Sequence, residues 1–343
     1  MLSHRFGIEI EFTGITRQKA ADVAAEHFGG TANWRAGYYD TYIVRDSKNR
    51  KWKFMYDSSI RPERKVSRTY RMALADDASE YKVELVSPIL TYREDIDTLQ
   101  QLVRNLSKAG AIVNERCGIH IHLDGAAHTP RSLRNFINLI ASRNALFYKA
   151  LQVPEERKRY CEELDAYLVR RMNRVKPKTF KRIEEIWYEG YSQDRDTHYH
   201  SSRYHFLNLH SFFHGHHTVE LRGFNSTMHA GKVRAYIVFT LAMNHQALMQ
   251  RCAHYRKVQS DNEKFAMRVY LVRIGLKGKE FANCRMHLCE HLDGNAAWRY
   301  GSKDNCRTHR IKPQDTLEIS DLKVDGASFV CKGGEKEDGK DKE

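Results

Sequence analysis

Two glutamates stand two residues apart in the N-terminal segment FGIEIEF, at Glu9 and Glu11, and two histidines repeat that spacing in CGIHIHL, at His120 and His122. A third segment, TVELR, spaces Glu220 and Arg222 in the same way, and YKVEL spaces Lys82 and Glu84. On a β-strand, residues two apart share a face. Each segment therefore sends its polar pair one way and its apolar residues the other: Ile8, Ile10 and Phe12; Ile119, Ile121 and Leu123; Val219 and Leu221; Val83 and Leu85. A strand that merely faces solvent favours Thr, Lys, Arg and Ser. Carboxylates and imidazoles repeated on four strands suggest convergence on one site. Clustered carboxylates repel unless a cation sits among them. Oxygen-rich sites with an occasional imidazole suit Mg²⁺ or Mn²⁺, whose usual companion is a nucleotide phosphate.

The elements that must position these residues follow from hydrophobic periodicity. A helix is expected from about Arg17 to Phe28, stopped by Gly29 and Gly30. YIVRD, KWKFMYD and YKVELVSPIL read as strands, with DSKN as a hairpin turn between the first two. Thr91, with Glu94 three residues on, predicts a capping box opening a helix that ends before Gly110. Another helix is expected after Thr129 and Pro130, followed by helices over about 155–173 and 179–189. Strands return in YHFLNLHSFF and HTVELRGFN, and helices dominate from Gly231 to about His291. The sum is an α+β plan: one mainly antiparallel sheet, helices packed on one face, and a helical C-terminal region.

Composition narrows the class. The chain of 343 residues has 57 Lys and Arg against 43 Asp and Glu, a net +14, and 41% hydrophobic residues, enough for a buried core. No window approaches the ~18 apolar residues of a membrane helix. The N-terminus lacks the pattern of a secretory signal, and seven irregularly spaced cysteines argue against a disulfide framework, so a cytoplasmic location is expected. Residues 157–182 hold a basic run from Arg157 to Arg182 that could attract an acidic or polyanionic partner. Cys284, Cys289, His291, Cys306 and His309 lack zinc-finger spacing and are read as reduced, partly buried residues. The charged tail 332–343 is expected to lie outside the fold. Nothing in the sequence specifies an oligomeric interface.

The ordered set FGIEIEF, YDSS at 56–59, VELVSPIL at 83–90, CGIHIHL at 117–123, RYHFLNL at 203–209 and TVELRGFNST at 218–227 resembles the motif series of the putative amidoligases. The resemblance covers roughly residues 5 to 275. It implies a catalytic domain over 1–275, with a helical insert at about 130–200 and a C-terminal extension at 276–331. It also implies a curved, glutamine synthetase-like antiparallel sheet. The implied activity is ATP-dependent ligation of a carboxylate to an amine through an acyl phosphate, with amino acids or peptides as substrates. By resemblance, Glu9, His120 and Glu220 would hold a divalent ion at the ATP phosphates, and Glu11 and Glu84 a second nearer the acceptor carboxylate. His122 would face the substrate, and Arg222 and Arg203 would balance charge on the moving phosphoryl group. Asn208 and Asp57 would contact nucleotide or amine, and Asp57 or Glu80 would supplement the second ion. Two other readings of the residues stay open: a metal-dependent hydrolase or nuclease acting on a polyanion, and a catalytically silent binding protein.

Overall fold

The structure, a computed structural model, describes residues 1–67 and 70–308. The charged tail, Cys331 and His309 lie outside the described residues. Eleven strands are present among these: β1 (Arg5–Phe12), β2 (Ala32–Arg35), β3 (Thr41–Arg45), β4 (Lys51–Tyr56), β5 (Glu63–Lys65), β6 (Arg71–Ala73), β7 (Val83–Val86), β8 (Leu90–Thr91), β9 (Gly118–Asp124), β10 (Leu207–Asn208) and β11 (Thr218–Asn225). Nine of them form one sheet in the order β10-β11-β9-β1-β7-β4-β3-β2, with β8 on the far end of β1. All its ladders are antiparallel, and β5 and β6 pair separately.

One expectation is overturned. The sheet is an open ladder with free edges at β10 and β2, and it does not curl into the curved, glutamine synthetase-like form that the resemblance implied. Bending a sheet takes repeated bulges or kinks. Among the described strands of this sheet a single register shift occurs, in β11 between Leu221 and Phe224.

The apolar rows of β1, β7, β9 and β11 are buried with the helices against them. The helix Arg17–Phe28 has the predicted bounds and ends at Gly29 with φ 69°, a left-handed turn that glycine tolerates. Its Ala20, Ala21, Ala24 and Ala25 allow close approach to β3 and β4. The helix Tyr92–Lys108 starts where expected, but by a different cap. The Thr91 side chain bonds nothing, and the Asp95 carboxylate accepts the Thr91 N–H at 2.8 Å instead of a Glu94 box. Asp95 serves because Arg50, just before β4, fixes it at 2.8 Å.

Thr129 does form a capping box, with Ser132, at the head of the helix Pro130–Ala141. The helix expected over about 155–173 is broken into Glu155–Lys158 and Ala166–Val175. The break lets Glu162 bridge to His205 beside β10 and turns Arg157 inward. The helix Ala230–Met249 is apolar almost all round and buried against β9 and the helices Tyr92–Lys108, Pro130–Ala141 and Ala282–Cys289. Among the described residues, no helix is long and apolar enough to cross a membrane.

Candidate metal centre

β1 lies at the middle of the sheet, between β7 and β9, and cross-strand register sets the site. Glu9 faces His120, Glu11 faces Glu84, and Glu220 faces His122 and Asn208. Directly opposed residues lie on the same side of a sheet, so these side chains converge on the face away from the helices. The opposite face is greasy, which fixes the register: a one-residue slip would bury every carboxylate in the apolar core.

His120 sits between two groups of carboxylates. Its Nδ1 is 3.0 Å from Glu9 and 3.8 Å from Glu220, and its Nε2 is 3.5 Å from Glu11. Ligand atoms of Glu9, His120 and Glu220 lie within 4.8 Å of one another, as do those of Glu11, Glu84 and His120. Each group could hold a metal ion. These are the metal-capable groups among the described residues, and neither contains a cysteine; Cys284 and Cys289 are buried free thiols on one helix.

His122 extends the row, with Nε2 3.1 Å from Glu9 and Nδ1 3.1 Å from the Thr218 hydroxyl. Arg222 binds Glu220 at 2.6 Å, and the Asn208 amide donates to the other Glu220 oxygen at 2.6 Å. Asn208 is itself held by the His210 N–H at 2.7 Å. Asp57 caps its own turn by accepting the Ser59 N–H at 2.7 Å, and its charge acts on both Glu11 and Glu84. Arg203 stands apart: its guanidinium lies against the Tyr199 and Tyr204 rings and donates to the His198 carbonyl at 3.4 Å. Lys82 turns to Asp76 at 2.6 Å, and Glu80 is exposed.

The electrostatics divide the cluster. Burial pushes Glu11 up to about 8, reinforced by Asp57, and lifts Glu84 well above the carboxylate range, reinforced by Glu9 and Asp57. Burial also opposes the charged form of Glu220, yet the Arg222 guanidinium and His122 hold it down at about 2. Glu9 stays low against its burial because of His122 and the His120 hydrogen bond. His120, desolvated and beside Arg222, falls to about 4, while Glu9 and Glu220 overcome burial to raise His122 to about 9. At neutral pH, then, Glu9 and Glu220 are anions balanced by His122 and Arg222. Glu11 keeps a proton that a divalent ion would displace, and Glu84 is shifted in the same direction.

Supporting residues escaped the sequence reading. The Gly118 N–H donates to Glu11 at 2.6 Å, and a Cβ at Gly118 would lie 2.3 Å from the Arg157 guanidinium. Arg157, counted in the basic run, is buried and donates to the carbonyls of Phe224 and, at 3.0 Å, Arg222. It braces the irregular stretch of β11 where the register shifts, a position with no sequence signal beyond the glycines nearby. Lys158, Arg171 and Arg182 of the same run pair with Glu155, Glu189 and Glu185. The basic segment is therefore less available to a polyanion than its composition suggests.

A family model described as putative amidoligase enzyme matches residues 2–244, more than half of the chain, so the chain belongs to that family. Membership carries a ligase-type enzymatic classification and, with it, carboxylate and amine substrates in general. No curated protein matches the chain.

Proposed function

We propose that the protein is an ATP-dependent, Mg²⁺- or Mn²⁺-requiring ligase that joins a carboxylate to an amine through an acyl phosphate. The observation that carries this reading is the meeting of Glu9, Glu11, Glu84, His120 and Glu220, backed by Arg222, on one sheet face in a member of this family. The donor set fits hard divalent cations: it is mostly carboxylate oxygen with an imidazole, and burial raises Glu11 and Glu84, a shift that a bound cation would offset.

Glu9, His120 and Glu220 would hold one ion, and Glu11 and Glu84, with Asp57 beside them, a second. Bound Mg-ATP would supply the phosphoryl group that turns a poor electrophile into one with a leaving group. In the balanced reaction the carboxylate oxygen takes the γ-phosphoryl group and ADP leaves; the amine then displaces phosphate and loses a proton. Arg222 supplies fixed positive charge, Asn208 keeps the second Glu220 oxygen oriented, and cationic His122 is placed to meet an anionic substrate group. Arg203 would need to leave its tyrosine neighbours to act on phosphate.

The test is ADP and phosphate release with Mg-ATP, with and without pooled amino acids and peptides. Release that needs both a carboxylate and an amine, and is lost in Glu220→Gln, is expected. Cleavage of substrates without ATP would replace the ligase by a hydrolase.

A further inference from the structure

Between the helix Phe180–Trp187 and β10 the chain is built on a column of three imidazoles. His200 and His210 stack with ring centres 5.4 Å apart, and His210 and His214 stack at 5.7 Å. The Tyr188 ring meets all three edge-on, and its hydroxyl lies 2.6 Å from His210 Nδ1.

The His200 ring cannot take a second proton without breaking structure. It is fully buried, and its Nδ1 accepts the Ser202 N–H at 3.1 Å, capping the 3₁₀ turn Ser201–Arg203. An accepting ring nitrogen carries no proton, so protonation there would set a donor against a donor. Burial and the His214 ring hold His200 below the usual imidazole range, against the Gln193 carbonyl and Asp194. Burial, His200, His214 and Arg203 hold His210 at about 4. Tyr191 also packs on His200, with ring centres 5.2 Å apart. His214 lies between Glu184 at 3.0 Å and Asp196 at 2.8 Å, while Arg195 stands 3.7 Å from Glu184 and over the Tyr188 ring.

What the column holds is a loop that links the two flanks of the acid cluster. Tyr199, next to the cap, meets Tyr39 hydroxyl to hydroxyl at 2.7 Å, and the Arg203 guanidinium lies over the Tyr199 ring. On one flank, the Tyr39 carbonyl accepts the Tyr56 N–H at 2.8 Å, one residue before Asp57. On the other, β10 follows the turn and brings Asn208 to Glu220. β4 and β10 stand on opposite sides of the strands that carry the metal-capable groups. One hydroxyl pair in contact with solvent is a weak latch, so the loop's hold comes from the column.

We propose that the His200–His210–His214 column is an acid-sensitive catch on the 189–203 loop. Protonation of His200 breaks its cap on the Ser202 N–H, and the loop takes Tyr199 off Tyr39 and parts the two flanks of the site. A histidine held neutral in the closed loop takes its proton more readily once the loop opens. The closed form is therefore favoured above the unfolded value of about 6.5 and is lost as pH falls below it. The catch acts whatever reaction the cluster performs.

The test is hydrogen–deuterium exchange of the full chain in excess Mg²⁺ at pH 7.5 and 5.0, with rates corrected for the intrinsic effect of pH. Protection of the amides of residues 199–203 is expected to fall at least tenfold at pH 5.0, while β9 and the helix Pro130–Ala141 keep theirs. His200→Asn and His200→Ser can cap the turn without titrating. In at least one of them, protection at pH 5.0 is expected to stay within threefold of the wild-type value at pH 7.5. Equal protection of the wild-type loop at the two pH values would overturn the catch, as would protection tenfold below that value in both variants. A loss that extends equally to β9 would overturn it too, as general acid unfolding.

Discussion

Glu9 and His120 stand directly opposite one another across β1 and β9, with Nδ1 3.0 Å from a carboxylate oxygen. The other nitrogen of the same ring is 3.5 Å from Glu11. A neutral imidazole has one lone pair and one N–H, so His120 can ligate an ion on one side only and must donate a hydrogen bond on the other. The ring therefore couples the two carboxylate groups through its tautomer.

Removing it tests that coupling. His120→Ala is expected to weaken Mn²⁺ binding by at least about tenfold, since it deletes a ligand from one group and a donor from the other. Isothermal titration of the variant would show it; unchanged affinity would mean the imidazole is not a ligand.

Ion uptake should release protons. Burial raises Glu11 to about 8 and lifts Glu84 above the usual carboxylate range, so cation binding at pH 7 must displace the Glu11 proton and works against the same shift at Glu84. Mn²⁺ affinity is expected to climb with pH up to about 8, with proton release visible as a buffer-dependent titration enthalpy. The absence of any buffer dependence would contradict a protonated Glu11.

Stability of the metal-free protein should fall as pH rises from 6.5 to 9. Glu11 and His122 both have folded values above their unfolded ones, about 8 and about 9, so their contributions are full below the unfolded values and are lost as pH passes the folded ones. Glu220, held at about 2, and His120, at about 4, change below this window. At 1.36 kcal/mol per unit, Glu11 alone loses roughly 2 kcal/mol between pH 6.5 and 8. Denaturant midpoints across this range, with and without Mn²⁺, check the sign, and the ion should reduce the loss.

Gly118→Ala should destabilise by about 1–3 kcal/mol, because its Cβ would displace a buried guanidinium, whereas Gly7→Ala on the neighbouring strand should be near neutral. Arg157→Leu should cost about 3 kcal/mol by leaving the carbonyls of Arg222 and Phe224 without their donor. Urea unfolding of the three variants ranks them directly.

The period of two in β1, β7, β9 and β11 made the polar face legible, since a buried apolar row admits no other register. The helix Arg17–Phe28 was legible for a similar reason, its alanine face ending at a glycine. Partners across strands were not. Asp95 displaced Glu94 as a cap because Arg50, far away in the chain, fixes it. Arg157 looked like surface charge until the break after Lys158 aimed it at β11. Curvature, too, is a property of the whole sheet: the motifs set the face of each strand, but the open course from β10 to β2 follows from a near absence of bulges.

The central claim turns on whether a carboxylate oxygen passes to phosphate. With ¹⁸O-labelled carboxylates of pooled amino acids and peptides, Mg-ATP and the wild-type protein, one ¹⁸O is expected in the phosphate released, with none formed by Glu220→Gln. Phosphate released by the wild-type protein together with amide product, yet free of ¹⁸O, would contradict an acyl phosphate and with it the proposed mechanism.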